Sequence, residues 1–332
     1  MAYSSNINLK ADKILNQKRL RALDKQDKIK EKLFKEIPRL QEIEQELSLI
    51  GAEAAKAVIM GGSAKKTTTS LAEKSLALQK EMRTILFMHG YDEDILELHY
   101  ECEKCKDTGR YDDETGRTVY CDCLKKLRAN LACEELNKVS PLSLSTFDSF
   151  SLDNYDMDIQ QGSITSPYDR MSKIFDYCKR YAKDFDTDCP SIMMRGATGL
   201  GKTHLSLAIA NEVIKKGFGV VYVSAPMILS TLEKSHFKYA YKEEDEVLNT
   251  LLNCDLLILD DLGTEFQTNY SKSTVYNIFN TRLLNKKPTI MSSNLTLKEM
   301  EEMYTPRFVS RIMGDCAKLD FLGNDFRKPR RG

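Results

Sequence analysis

One eight-residue stretch, GATGLGKT at residues 196–203, narrows the folds open to this chain more than any other feature. It has the spacing G-x-x-x-x-G-K-[ST], follows the short apolar run 192–195 and opens a helix-periodic segment, residues 202–216. A glycine-rich turn between a strand and a helix lets backbone N–H groups converge on phosphate oxygens, and the helix N-terminus adds positive potential. The stretch therefore predicts a phosphate cradle in an α/β domain.

Two residues of this stretch have predicted roles of their own. Lys202 is expected to reach the β- and γ-phosphate oxygens, and the Thr203 hydroxyl is expected to hold Mg²⁺. The competing interpretation is a glycine turn that binds nothing, which is disfavoured because glycine is too infrequent for this pattern to recur often by chance. The predicted nucleotide-binding residues here are Gly196, Ala197, Thr198, Gly199, Leu200, Gly201, Lys202, Thr203 and His204.

A second acidic motif, LLILDDLG, places two carboxylates at the end of an apolar run. Asp260 is the predicted residue on the metal side, because a carboxylate at a strand tip reaches the Mg²⁺ shell. Asp261 is the candidate that orients an attacking water, and Glu265 is a secondary candidate for activating it. Neighbouring strand residues face opposite ways, so the two aspartates share one site only if the strand ends between them.

The C-terminal half alternates short apolar runs with helix-periodic segments. The run at 256–260 is apolar until its last residue, as in a parallel strand covered on both faces. This alternation predicts a doubly wound α/β fold with helices on both faces of a parallel sheet, and with ligands at the carboxyl ends of its strands. The predicted strands are residues 192–195, 220–224, 256–260 and 289–293, and the predicted helices include 202–216 and 271–285.

The N-terminal part is expected to be helical. Apolar residues recur at helical spacing through residues 9–50, with Pro38 as a break or first-turn residue. This segment is either a helical hairpin packed on its own domain or an arm that binds a partner. GGSAKKTTTS at 61–70 has the composition of a loop, after which helical periodicity resumes over 71–88.

Four of the nine cysteines lie within 22 residues, in CEKCKDTGRYDDETGRTVYCDC. A C-x₂-C pair has the spacing of a zinc knuckle, and the intervening DDETG reads as the turn of a hairpin that returns the second pair to the first. Four protein ligands leave no open position, so the ion would be structural. Four incidental thiols are the alternative. The predicted Zn²⁺ ligands are Cys102, Cys105, Cys121 and Cys123.

Composition excludes several classes of protein. Lys plus Arg equals Asp plus Glu at 49 each, so any nucleic-acid surface must be a local patch. No apolar run of eighteen residues and no secretory signal are present, and nine cysteines in such a chain do not suggest a disulfide framework. These features favour a protein of the cytosol. The predicted domains are 1–95 (helical, partner-binding), 96–140 (zinc module) and 141–332 (ATPase).

Four motifs together resemble the AAA+ ATPases of the DnaC/DnaI helicase-loader group. They are the glycine-rich stretch, CDLLILDDLGTE from Cys254, PTIMSSNLT from Pro288 and PRFVSRIMG from Pro306. TFDSFSL from Thr146 is similar to the segment that introduces that domain. Upstream, HGYDEDILELHYECEKCKDTG is similar to the cysteine-bearing part of Gram-positive loaders and their phage counterparts.

The resemblance implies roles for three more residues and a nucleotide, ATP. Asn294 matches sensor 1, whose amide would contact the γ-phosphate or the attacking water. Arg311 matches the arginine finger, with Arg307 in the same short segment as the alternative, and Arg327 matches sensor 2. The chain departs from many AAA+ proteins in having Asp261 instead of a glutamate, which leaves the rate of hydrolysis open.

The resemblance also implies a function and partners. The N-terminal half would bind a replicative DnaB-type helicase, the ATPase half would contact single-stranded DNA, and copies would assemble head to tail into a ring or spiral. A transposition helper of the IstB kind and a non-hydrolysing nucleotide-binding adaptor are the alternatives. Candidate DNA-contacting residues combine cations with aromatics, although an ordinary amphipathic helix face explains them slightly better. They are Lys234, Phe237, Lys238, Tyr239, Tyr241 and Lys242, with the basic tail Arg327, Lys328, Arg330 and Arg331.

Overall fold

The computed structural model describes residues 5–59, 64–138, 145–159, 164–237 and 241–325. The chain forms two compact units. One is Asp12–Leu124, and the other consists of Met1–Ala11 with Lys125–Gly332. The predicted domain boundaries after residues 95 and 140 stay predictions. Among the described helices, none combines the length and apolar character that crossing a membrane requires.

Three helices build most of the unit Asp12–Leu124, as the periodicity predicted. α1 is Ser5–Glu36, α2 is Pro38–Ile59 and α3 is Ala64–Met88. The predicted break is confirmed, because Pro38 occupies the first position of α2, where a missing N–H costs no helical hydrogen bond. The side chains buried between these helices are Leu33, Ile37, Leu40 and Leu86.

The third helix begins earlier than predicted. Residues 64–70, expected to be a loop, are helical and continue into the strongly periodic segment 71–88. Once a helix is nucleated, each added residue gains one backbone hydrogen bond, so it extends through residues of middling propensity. Arg39 of α2 donates from Nε to Glu81 of α3 at 2.8 Å, a partly exposed pair that adds modestly to the packing.

A short hairpin and a fourth helix follow in the chain. β1 (Arg110–Asp112) pairs antiparallel with β2 (Thr118–Tyr120), and α4 is Asp122–Asn137. In the turn, the carboxylate of Asp113 accepts hydrogen bonds from the backbone N–H groups of Thr115 and Arg117. The predicted hairpin between the two cysteine pairs is confirmed.

The second unit contains a five-stranded parallel sheet with the spatial order β4-β5-β6-β3-β7. The predicted α/β fold with a parallel sheet between helices is confirmed. The strands are β3 (Ser191–Arg195), β4 (Val220–Ser224), β5 (Leu256–Leu262), β6 (Thr289–Ser293) and β7 (Cys316–Asp320). The helices are α5 (Pro167–Lys183), α6 (Lys202–Lys215), α7 (Ala225–Phe237), α8 (Tyr241–Asn253), α9 (Asn269–Leu284), α10 (Leu297–Met303) and α11 (Pro306–Asp315).

Both faces of the sheet are covered. Along β3, Ile192 and Met194 belong to one apolar cluster, and Met193 belongs to the cluster on the opposite face. All three side chains are fully buried. This alternation explains why the strands read as continuous apolar runs, and in a sheet covered on both faces ligands typically bind at the carboxyl ends of the strands.

The edge strand β7 was not predicted from the sequence. Only Cys316 and Leu319 are buried in this strand, without the period-2 alternation of a half-buried strand, and a five-residue segment with two charges gives a weak strand signal. β7 pairs with β3, and Asp320 at its end accepts a hydrogen bond from Arg195 Nε at 2.8 Å. The chain after β7 is thereby led to the carboxyl end of β3, where the glycine-rich stretch begins.

A fully buried arginine ties α9 to the sheet. Arg282 Nη1 donates to the carbonyls of Leu251 and Cys254 at 2.8 and 2.9 Å. Its Nη2 donates to the Pro288 carbonyl at 2.7 Å, and its Nε donates to the Thr289 hydroxyl at 3.0 Å. A buried charge is tolerated only when its donors are satisfied, so this network fixes the starts of β5 and β6 relative to α9.

Candidate functional site

The glycine-rich stretch forms a tight turn between β3 and α6. Gly196 has φ 147°, and a Cβ there would lie 2.7 Å from the Phe321 carbonyl oxygen. Gly201 has φ 83°, and a Cβ there would lie 2.7 Å from a ring carbon of Phe150. Only glycine fits both the backbone conformation and the space at these positions. The turn therefore brings its backbone to the N-terminus of α6, as the motif predicted.

Lys202 is the first residue of α6, and its side chain is directed back over the turn. Its Nζ donates to the carbonyls of Gly196 and Ala197, both at 2.7 Å, and to Asn294 Oδ1 at 2.6 Å. The residue is only 5% exposed, so its charge is concentrated at the carboxyl edge of the sheet. Two residues predicted from separate motifs are thus in direct contact.

The carboxylate of Asp260 is buried at the end of β5 and accepts three hydroxyl donors. Thr203 Oγ1 donates to its Oδ2 at 2.8 Å, and Tyr222 donates to the same oxygen at 2.6 Å. Ser292 donates to Oδ1. Burial, and then the neighbouring Asp260 carboxylate, raise the pKa of Tyr222, so its hydroxyl stays a donor. The pair of oxygens on Thr203 and Asp260 is the kind of ligand that Mg²⁺ prefers.

Asp261 faces the solvent side of the same strand end. The pairing of β5 with β6 shifts register between Leu259 and Leu262, and Asp261 has a left-handed backbone with φ 57°. Its backbone N–H donates to Ser292 Oγ at 2.9 Å. The bulge turns the second carboxylate, so that Asp260 is buried while Asp261 is exposed and lines the cavity described below. An interruption of the strand was expected if the two adjacent aspartates were to lie at one site.

A cavity of about 410 Å³ lies between the glycine-rich turn and the strand ends. Nine of its ten lining residues were predicted, with Thr264 the addition. Three more predicted residues do not line the cavity but hydrogen-bond to residues that do: Gly196 and Ala197 to Lys202, and Asp260 to Thr203. Arg327 lies outside the described residues. The lining residues are Thr198, Gly199, Leu200, Gly201, Lys202, Thr203, His204, Asp261, Thr264 and Asn294.

Glu265 is not brought to this cavity. Its Oε2 accepts the backbone N–H of Gly263 at 2.8 Å, and its Oε1 accepts the Tyr304 hydroxyl and the Gln267 amide. Burial, and then the Glu265 charge, raise the pKa of Tyr304, which keeps that phenol protonated. These contacts place Glu265 in the support of the loop after β5.

Arg311 and Arg307 both lie on α11, and neither lines the cavity of its own chain. The Arg311 guanidinium carbon lies 6.0 Å from the ring centroid of Tyr276, and its Nε is buried without a hydrogen-bond partner. Arg307 is exposed and lines a separate groove of about 380 Å³ with Tyr276, Tyr304 and neighbouring residues.

Two segments, one before β3 and one after β7, meet at the glycine-rich turn. In the segment before β3, the Thr146 carbonyl lies 2.8 Å from His204 Nε2, and Tyr155 donates to the Leu200 carbonyl at 3.0 Å. In the segment after β7, a carboxylate oxygen of Asp325 lies so close to Gly199 that a Cβ on that glycine would be 1.7 Å from it. The predicted nucleotide residue His204 therefore also anchors the segment that introduces the domain.

The four clustered cysteines meet at one point in the unit Asp12–Leu124. Their sulfur atoms all lie within 4.8 Å of one another. The Sγ–Sγ distance is 3.7 Å from Cys102 to Cys121 and 3.4 Å from Cys105 to Cys123. The edges of a zinc tetrahedron with Zn–S bonds of about 2.3 Å are about 3.8 Å long, so this donor set fits Zn²⁺. Among the described residues, it is the one such cluster of cysteine, histidine and acidic side chains.

The knuckle around these cysteines is held by backbone contacts. Asp107 accepts the N–H groups of Glu101 and Cys102, both at 3.0 Å, and the N–H of Gly109 points at Cys105 Sγ at 3.3 Å. Burial raises the pKa of the Cys105 thiol, and the hydrogen bond from Gly109 opposes that shift by favouring the thiolate, the form that binds metal.

The candidate DNA-contacting residues are only partly described. Phe237 at the end of α7 is 68% exposed, and Lys234 lies one turn before it. Lys238 and Tyr239, like the basic tail Arg327–Arg331, lie outside the described residues. The same holds for the side chains of Tyr241 and Lys242.

Comparisons with known proteins find similarity over the part of the chain that contains this site. Residues 180–331 match the family model described as IstB-like ATP binding protein. The chain is 32% identical over 150 residues to the replicative helicase loader DnaC of Escherichia coli (strain K12), an alignment covering 45% of this chain and 61% of that protein. It is 28% identical over 183 residues to DnaC of Buchnera aphidicola subsp. Acyrthosiphon pisum (strain APS), covering 55% of this chain and 71% of that protein.

A solved structure titled "Crystal structure of the DnaC helicase loader" is 19% identical, with a TM-score of 0.45, and covers 55% of this chain and 99% of that one. The alignment with the Escherichia coli protein spans about three fifths of that relative's length. The resemblance to the DnaC/DnaI group that the motifs predicted is confirmed by these named relatives.

Proposed function

We propose that this protein is an ATP-dependent loader that delivers a replicative DnaB-type helicase to single-stranded DNA. The observation that carries the proposal is the contact between Lys202 and Asn294 beside the Thr203–Asp260 pair. Those four side chains come from three different motifs and meet at one sheet edge. The nucleotide site alone does not indicate helicase loading. That part of the proposal is supported by the two relatives, since both are called replicative helicase loaders.

The nucleotide would be bound by the turn and held through Mg²⁺. The backbone N–H groups at the start of α6 and the ammonium of Lys202 would contact the β- and γ-phosphates. Thr203 and Asp260 would hold Mg²⁺, which supplies charge neutralisation for phosphoryl transfer when bound. Tyr222 supports Asp260 from the neighbouring strand.

Hydrolysis would depend on Asp261 and Asn294. Asp261 lines the cavity with an exposed carboxylate, from which it would orient a water and accept its proton. Asn294 would contact the γ-phosphate or that water through its amide. Glu265 is a poorer candidate for this role, since its carboxylate already accepts two donors from its own loop, Gly263 and Gln267, and a third from Tyr304.

A second copy of the chain would complete the site. Arg311 lies on α11 away from its own cavity, and its buried Nε lacks a hydrogen-bond partner. Supplied in trans, its guanidinium would stabilise the charge of the transferring phosphoryl group. Head-to-tail copies would form a ring or spiral, and Arg327 would approach the same phosphates within each copy.

The other partners would be bound at surfaces outside the cavity. The helical and zinc-binding N-terminal part would bind the helicase, with a structural Zn²⁺ on Cys102, Cys105, Cys121 and Cys123. Lys234 and Phe237 would contact DNA through a phosphate and a base. Phe237 is a large exposed aromatic side chain, as stacking requires.

Loading can be tested with purified components. The protein is mixed with the replicative helicase of its host, ATP and circular single-stranded DNA, and helicase retained on the DNA is counted. We expect retention that requires ATP and is lost with a truncation at residue 140, which should also fail to pull down the helicase. Equal retention without this protein would contradict the proposal.

A transposition helper of the IstB kind is the second candidate, favoured by the description of the matching family model. Such a helper would act on duplex DNA with a transposase. The discriminating measurement is ATP turnover with single-stranded or duplex DNA added. Stimulation by duplex alone would support the helper, and no turnover with either, unchanged by Asp261→Asn, would support a non-hydrolysing adaptor.

A further inference from the structure

One hydroxyl beside the cavity contacts both aspartates, and it belongs to a residue to which the sequence motifs assigned no role. Ser292 lies on β6, two residues before Asn294, and is completely buried. Its Oγ donates to Asp260 Oδ1 and accepts the backbone N–H of Asp261 at 2.9 Å. The single hydroxyl of Ser292 thus donates to one aspartate, Asp260, and accepts from the other, Asp261; these two residues are called the acidic pair below.

The contact with Asp261 compensates for an interrupted strand. β5 and β6 lose their regular pairing between Leu259 and Leu262, so the N–H of Asp261 is not in a regular ladder position. A buried backbone N–H needs a partner, and here the partner is the hydroxyl of Ser292. Asp261 itself has φ 57°, a left-handed conformation that is uncommon for a residue with a side chain.

The contact with Asp260 completes the orientation of that carboxylate. Thr203 and Tyr222 both donate to Oδ2, whereas Ser292 donates to Oδ1. Hydrogen bonds on both oxygens fix the rotation of a carboxylate about its Cβ–Cγ bond. Without Ser292 the carboxylate would be free to turn away from the Thr203 hydroxyl, with which it would share Mg²⁺.

We propose that Ser292 is a positioning residue that sets Asp260 for the metal and Asp261 for the water at the same time. The proposal rests on the ATPase function proposed above and deepens it. Through β6 the same residue links the acidic pair to Asn294. A change at any of these positions is therefore passed to the others through one buried hydroxyl.

Ser293 provides a matched control. It is also completely buried, its Oγ donates to the Leu262 carbonyl at 2.6 Å and accepts the Leu295 N–H at 3.1 Å. Ser293→Ala therefore removes a buried hydroxyl with one donated and one accepted bond, as Ser292→Ala does, but without touching either aspartate.

The experiment uses the full-length protein alone, with a fluorescent ATP analogue titrated at increasing Mg²⁺ and in EDTA, together with kcat and KM for ATP. For Ser292→Ala we expect a loss of about 10- to 100-fold in kcat and in the affinity for Mg²⁺, with the EDTA affinity unchanged. Ser292→Thr, which keeps the hydroxyl, should recover most of both. Thermal unfolding should show similar losses for Ser292→Ala and Ser293→Ala.

Two outcomes would overturn the proposal. One is a Ser292→Ala protein with the parental Mg²⁺ dependence and kcat, and the other is an equal loss of both in Ser293→Ala. Since no helicase or DNA is present, a failure of helicase loading leaves this result standing. A parental protein whose nucleotide affinity does not respond to Mg²⁺ would refute both this proposal and the ATPase site.

Discussion

Lys202 Nζ lies 2.6 Å from Asn294 Oδ1, although the two residues are 92 positions apart in the sequence. β3 leads into the turn that contains Lys202, and the adjacent strand β6 leads directly to Asn294. Because neighbouring parallel strands end at the same edge, the sheet itself determines this contact. The Asn294 amide therefore lies in direct contact with the Lys202 ammonium beside the cavity.

Replacing this lysine should remove nucleotide binding. Lys202→Ala deletes the only lysine that lines the cavity among the described residues, and we expect the affinity for a fluorescent ATP analogue to fall by about 100-fold, or about 3 kcal/mol. Lys215→Ala is the control, since Lys215 lies in the last turn of the same helix, exposed and paired with Glu212. Unaltered binding in Lys202→Ala would refute the predicted cradle.

The arginine on α11 should affect hydrolysis without affecting binding. Arg311→Ala is expected to keep the nucleotide affinity and to lower kcat by about 10³-fold, the usual contribution of an arginine finger. Arg307→Ala, from the exposed start of the same helix, is the matched comparison. A large loss in Arg307→Ala with a normal Arg311→Ala would reverse the assignment.

Mixing variants tests whether the arginine acts in trans. Arg311→Ala and Asp261→Asn each inactivate a different half of a shared site, so a mixture should contain some sites with both parental residues. We expect ATP turnover in the mixture to exceed that of either variant alone. Turnover equal to the average of the two variants would argue against a shared site.

Local motifs predicted the parts of the site that belong to one turn or one strand end. The glycine-rich turn and Asn294 each follow a strand, and Asp260 lies where the apolar run of β5 stops. Such positions are recognisable because polar residues interrupt an apolar run. Their meeting could be predicted as well, because parallel strands end at one edge. The roles of these residues stay predictions, since geometry alone does not measure catalysis.

The supporting contacts were not predictable in the same way. Tyr222 and Ser292 lie inside buried strands and reach Asp260 across the sheet, so their partners depend on strand order, which the sequence does not state. A signal existed, because a polar residue in a buried strand needs a partner. β7 was missed for a different reason, since five residues with two charges resemble a turn as much as a strand.

Arg282 allows a test of the fold apart from the site. Arg282→Met keeps the length of the side chain but leaves the buried oxygens of Leu251, Cys254, Pro288 and Thr289 without this donor. A buried acceptor left without a donor costs about 1–3 kcal/mol, so for several such oxygens we expect Tm to fall by about 10 °C. Arg180→Met on the exposed face of α5 should leave Tm unchanged. A thermal unfolding curve of Arg282→Met that overlays the parental curve would show that the network contributes nothing.

The cysteine cluster should contain a metal ion. Its sulfur–sulfur distances of 3.4 and 3.7 Å are far longer than a disulfide bond of about 2.05 Å and close to the edge of a zinc–thiolate tetrahedron. We expect elemental analysis of the purified protein to find about one zinc per chain, and Cys121→Ser to lose it. Cys133→Ser is the control, because Cys133 is buried among apolar side chains of the other unit.

Zinc binding and folding should be linked in the unit Asp12–Leu124. A hairpin with only three residues per strand provides little apolar burial around the cysteines, so the ion would supply much of the local stability. Removing it with a chelator should therefore melt this region, seen as rapid proteolysis near residues 102–123, while nucleotide binding by the other unit persists. A metal-free protein that resists the protease as well as the untreated protein would contradict a structural zinc.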